Sequence, residues 1–83
     1  MLYSDGVHLI SDLGIEDLHE ACKSMGIKRC WFHASKTFPH YDIPKRRRDG
    51  FFVEFQSVRR VTSREIIDIL KVSKDRRGWY EES

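Results

Sequence analysis

Two prolines, Pro39 and Pro44, bracket His40-Tyr41-Asp42-Ile43 and constrain this chain more than any other local feature. The residue before a proline avoids helical dihedrals, so the segment starts extended. In extended backbone alternate side chains point to the same side, which lets His40 and Asp42 converge on one ligand. Around them, residues 33–48 hold two histidines, a tyrosine, an aspartate and the four consecutive cations Lys45-Arg46-Arg47-Arg48. No other window gathers so many side chains able to bind anions, stack on rings or move protons.

At 83 residues the chain makes one domain, near the lower limit for a single core without staples. We read residues 1–74 as that domain and residues 75–83 as a polar tail. A hydrophobic content of 40% fits a globular protein. The net charge of +2 is too small to indicate nucleic acid by itself. Its distribution is uneven: residues 1–44 carry four basic and six acidic side chains, residues 45–83 eleven and seven. Cys22 and Cys30 form no C-x-x-C pair and no secretory signal precedes them, so a reduced, cytoplasmic setting is expected. No apolar run approaches a membrane span, and no membrane partner is expected.

Apolar residues flank Asp5-Gly6, a pair that suits a tight type I′ hairpin turn. Val7-His8-Leu9-Ile10 then has apolar residues on both faces, as a buried central strand does. Residues 14–26 are the clearest helix, with Ile15, Leu18, Cys22 and Met25 spaced as one buried stripe. Glu16 and Asp17 suit its first turn and Gly26 its left-handed end. Residues 27–32 return as a strand, giving a strand–helix–strand unit. A second helix is expected from residues 42–44 to about residue 55, capped by Asp42, with Pro44 in its first turn. Gly50 costs that helix about 1 kcal/mol. Residues 58–61 read as a short strand. Thr62 and Glu65 match a capping box ahead of a helix driven by Ile66, Ile67, Ile69 and Leu70. In the tail, Trp79-Tyr80 can pack back or meet another chain, and a homodimer is left open.

His40 beside Asp42 is a plausible acid–base or metal-binding pair. The plainer alternative is that Asp42 only caps the following helix and His40 is a loop residue. His8 and Asp12, near strand ends, add two further candidate ligands, and four N and O ligands suit a divalent metal. Against that, a histidine within an apolar strand is commonly a hydrogen-bonded core residue. No zinc motif of tight spacing is present, so a structural zinc is not expected and no metal is identified. Trp31 and Tyr41 can present flat surfaces to a ring, with core packing as the alternative. Arg47 or Arg48, near a helix start, would make a phosphate or carboxylate clamp, whereas a solvated basic face is the ordinary reading. No phosphate-binding glycine loop and no activated Ser or Cys nucleophile can be assigned.

Taken in order, Tyr-Ser-Asp-Gly-x-His-Leu-Ile-x-Asp, Glu-Asp-Leu-His, Gly-Ile, Trp-Phe-His and His-Tyr-Asp-Ile-Pro with its arginines resemble a small domain-of-unknown-function family, number four thousand and thirty-one. The likeness continues into Val61-Thr62-Ser63-Arg64-Glu65 and covers about residues 2–70. The family occurs in phages and bacteria and brings no established activity. The resemblance implies a shared pocket of Asp5, His8, Trp31, His40, Asp42 and an arginine near position 47, and a phage distribution suggests a role in host takeover or counter-defence. The chain departs from the family picture in the bulky Phe51, Phe52 and Phe55 of the second helix and in the tail after Lys71.

The expected fold is α/β: a short, mainly parallel sheet of three or four strands with three helices, and a site at the carboxyl ends of the strands. Three functions follow. The first is a binding module for a small phosphorylated or nucleotide-like ligand, with Asp5, Trp31, His33, Tyr41, Arg47 and Arg48 as binding residues. The second is a hydrolase or phosphodiesterase using His8, His40 and Asp42, with or without a metal. The third is a basic interaction protein for nucleic acid or an acidic host protein.

Overall fold

The computed structural model describes residues 1–34 and 38–77, with side chains in the last helix described through residue 72. Five strands form one sheet: β1 (Leu2–Ser4), β2 (His8–Ser11), β3 (Phe32–His33), β4 (His40–Asp42) and β5 (Arg59–Arg60), in the order β3-β4-β2-β1-β5. Among the described residues four α-helices accompany them: α1 (Ile15–Ser24), α2 (Lys45–Arg48), α3 (Phe51–Glu54) and α4 (Ser63–Arg77). The α/β class holds, but the mainly parallel sheet and the count of three helices do not. β1–β2, β2–β4 and β3–β4 pair antiparallel, and only β1–β5 is parallel. The reason lies after α1. Residues 27–31 do not form a long strand; Arg29–Trp31 makes a 3₁₀ turn, and β3 returns only two residues, which pair with the next strand in sequence. An antiparallel sheet has no common carboxyl edge, so the site lies on a face instead.

β2 is the central strand, and Leu9 and Ile10 are both fully buried, one into each face. On one face Leu9 and Tyr41 pack with Leu18 and Cys22 of α1 and with Phe51 of α3. On the other, Ile10 packs with Ile66 and Leu70 of α4. Helix α1 ends as its sequence implies. Gly26 adopts φ 75°, donates to the Lys23 carbonyl, and Ile27 donates to that of Cys22, which is a Schellman closure. Gly50 behaves differently from expectation: at φ 82° it breaks the second helical region into α2 and α3 rather than being absorbed within it.

The hairpin loop is also wider than a two-residue turn. Ser4 pairs with Leu9, leaving Asp5 to His8 to cross over. Asp5 closes that loop itself, its Oδ1 accepting from the N–H groups of Val7 and His8 at 2.9 and 2.8 Å. At α4 the capping box forms: Thr62 N–H donates to Glu65 Oε1 at 2.8 Å and Glu65 N–H to Thr62 Oγ1 at 3.1 Å. Helix α4 runs through residue 77, past the expected start of the tail, and Trp79-Tyr80 lie outside the described residues. Among the described residues no helix is long and apolar enough to cross a membrane.

Candidate functional site

Strand register builds the site. His33 lies opposite His40 across β3 and β4, and His8 lies opposite Asp42 across β2 and β4. His40 and Asp42 are two apart on β4 and therefore share a face. Four side chains from three neighbouring strands thus meet on the face that carries α4. His33 Nε2 lies 2.6 Å from Asp42 Oδ2, and His40 Nε2 lies 3.4 Å from Asp42 Oδ1. The His33 and His40 rings stack with centroids 5.1 Å apart, and His8 meets His40 edge-on at 5.0 Å. One ligand atom each from His8, His40 and Asp42 falls within 4.8 Å of the other two. Asp42 does not cap α2, whose N-cap is Pro44 without a side-chain hydrogen bond.

Two further groups fix the imidazoles. Asp5 Oδ2 lies 3.0 Å from His8 Nδ1 and accepts from Ser63 Oγ at 2.6 Å. Burial pushes the Asp5 carboxyl up, but the hydrogen bonds from Ser63, His8 and Val7 outweigh it and hold the group well below the usual carboxylate range. An ionised carboxylate only accepts, so His8 Nδ1 carries the proton in that bond. His40 Nδ1 lies 2.6 Å from the Phe38 carbonyl oxygen, also an acceptor, and so carries a proton too. In the neutral rings this leaves each Nε2 with its lone pair. At His40 that lone pair faces the Asp42 carboxylate at 3.4 Å. Two acceptors at that distance repel unless a cation, proton or metal, lies between them.

Two imidazoles and a carboxylate suit zinc or another late first-row divalent ion. Bonds of about 2.0–2.1 Å place tetrahedral ligand pairs about 3.4 Å apart, matching the His40–Asp42 pair. The Asp5 carboxylate behind His8 and the Phe38 carbonyl behind His40 are the kinds of partner that metal-bound histidines keep on their other nitrogen. The donor set therefore fits such an ion in its chemistry, with His8 within 4.8 Å of the other two.

The other expected residues divide. Trp31 and Arg48 line a hollow of about 200 Å³ beside His33 and Asp42. Arg48 Nε donates to the Ile43 carbonyl at 2.8 Å. Arg47 turns away, donating to the Gly26 and Met25 carbonyls at 3.0 and 3.3 Å and so closing the α1 C-terminus. Tyr41 is 1% exposed and belongs to the core of the opposite face. Asp12 accepts from Tyr3 Oη at 3.3 Å and is not among the clustered ligands.

Two contributors to the site and one histidine on the opposite face carry no signal in the sequence. Ser63 and the Phe38 carbonyl are distant in sequence from the rings they serve or offer no side-chain signal. His19 lies on α1, outside the apolar stripe read from the sequence. Its Nδ1 lies 2.7 Å from Tyr41 Oη, and both line a hollow of about 540 Å³ on the opposite face. Burial and then the Arg29 charge push the His19 pKa down, with Glu16 opposing. Burial pushes the nearby Cys22 thiol up to about 12, leaving it unreactive at neutral pH.

A family model described as "Protein of unknown function (DUF4031)" matches residues 4–73, a span that contains every member of the cluster as well as Asp5 and Ser63. No curated protein and no solved structure matches the chain.

Proposed function

The chain belongs to the DUF4031 family of proteins of unknown function, and we propose that its His8–His40–Asp42 cluster binds a divalent transition metal and, through it, a small phosphorylated ligand. The observation that carries this reading is the 3.4 Å approach of His40 Nε2 to an Asp42 oxygen with Nδ1 of the same ring on the Phe38 carbonyl, and His8 oriented beside them by Asp5. Three protein ligands leave coordination positions open for phosphate oxygens. Arg48 stands in the hollow next to Asp42, and its bond to Ile43 uses one of five guanidinium donors. The first test is equilibrium dialysis of the metal-stripped protein against zinc. Stoichiometric binding, tightened by a phosphonate and lost in His40→Ala, is expected. Zinc bound equally well by His40→Ala would contradict the assignment.

A second reading, hydrolysis of the phosphoester, is favoured by one observation. His33 is 57% exposed and lies 2.6 Å from Asp42 on the open side of the cluster. There it would serve as a general acid or base beside a metal-bound water. Zinc-loaded protein turning over bis(p-nitrophenyl) phosphate, with His33→Ala losing turnover but keeping zinc, would support it. Equal turnover in that variant would remove His33 from the chemistry.

A further inference from the structure

We propose that the ligand of this site carries a compact apolar group, aryl or branched alkyl, on its phosphoryl head, and that this group lies against α4. The inference rests on the metal-site reading and adds the substrate class. A hollow of about 210 Å³ has His8 and His40 in one wall and Phe38, Ile66, Ile67 and Leu70 in the others. Two of the three metal ligands therefore also bound the apolar space. Anything coordinated from this side leaves its remainder among those aliphatic side chains. On the other side of Asp42 lies the hollow of Arg48, His33 and Trp31. The cluster thus separates a cationic recess from an apolar one, and a phosphoester of a small apolar alcohol has the same division of chemistry.

An apolar cavity of about 150 Å³ holds a benzene ring, so this hollow of about 210 Å³, open to solvent at its rim, has room for one ring. Ser63, which also lines the space, has its hydroxyl committed to Asp5. The side-chain groups facing the ligand's organic part are therefore chiefly apolar. Ile67 is 38% exposed, an apolar residue left open at this rim by the described parts of the fold.

The test uses the zinc-loaded 83-residue chain and two probes that cannot be hydrolysed, phenylphosphonate and methylphosphonate. Phenylphosphonate is expected to bind about tenfold more tightly, a difference of about 1.4 kcal/mol, and to shift the Ile66, Ile67 and Leu70 methyl resonances where methylphosphonate does not. Ile67→Gln, at a partly exposed position, is expected to erase the preference while zinc affinity stays unchanged. Zinc binding with equal affinity for both probes, or with unmoved methyls, would overturn the substrate class alone. Failure to bind zinc would overturn this inference together with the metal reading beneath it.

Discussion

Tyr41 and its two neighbours on β4 occupy consecutive positions and have opposite fates. Tyr41 points into the α1 face, 1% exposed among Leu9, Leu18 and Cys22. His40 and Asp42 point into the α4 face, where they meet His8 and His33. The difference follows from the two-residue period of a strand and from what covers each face. Helix α1 supplies Leu18 and Cys22, both fully buried, with Met25 packed beside them. Helix α4 covers the Ile10 end of its face through Ile66 and Leu70 and leaves the histidines at the edge of the cover. One face was made into a core and the other left half open, which is where polar groups can remain solvated and reactive.

That contrast can be broken from either side. The largest effect is expected in the packed face: Leu18→Ala removes a fully buried side chain and should destabilise the domain by about 2–5 kcal/mol in urea unfolding, while the folded fraction keeps its zinc affinity. The reverse is expected for His40→Ala. Its zinc affinity should fall by more than the roughly hundredfold typical of losing an outer partner, with stability within about 1 kcal/mol of wild type. Equal effects on stability and metal in both variants would erase the distinction between the faces.

Asp5→Asn sharpens it further, because Asp5 orients His8 without belonging to the cluster. Zinc affinity should drop about 10–100-fold. The Asp5 pKa is depressed in the fold, so its stabilising contribution is complete above the ordinary carboxyl value near 3.9 and is lost as pH falls through the folded value. The variant should therefore be less stable at neutral pH and show a flatter acid limb. The smallest effect is expected at His19. Its pKa is lowered, so the unfolded chain takes up protons first as pH falls through about 6.5, and stability declines there. His19→Gln should remove that slope, measured by urea unfolding between pH 5 and 8, and leave zinc binding unchanged.

What was legible in the sequence was local. The Gly26 terminus and the Thr62–Glu65 box each act within a few residues and appear as read, while the α1 stripe holds for Leu18, Cys22 and Met25 and loses Ile15, which packs with Ile10 on the α4 face. The convergence of His40 and Asp42 was legible for the same reason, since two prolines hold the segment extended. Their meeting with His8 was implied only by the family resemblance and that with His33 not at all, because both depend on the register of strands separated by up to thirty residues of intervening chain. The parallel expectation failed on an equally non-local point. A strand after a helix suggests a crossover, but β3 is only two residues and its partner is β4. Arginines resist prediction in another way: their long side chains reach carbonyls such as Gly26 and Met25, which no spacing rule exposes.

The most direct test of the central claim is an anomalous-scattering crystal structure of the protein soaked with zinc at neutral pH. One ion is expected within about 2.0–2.2 Å of His8 Nε2, His40 Nε2 and an Asp42 oxygen, with His8 Nδ1 still on Asp5 and His40 Nδ1 still on the Phe38 carbonyl. No anomalous peak at that position, with His40 and Asp42 closing to a direct hydrogen bond, would show that a proton fills the gap and would contradict the metal site.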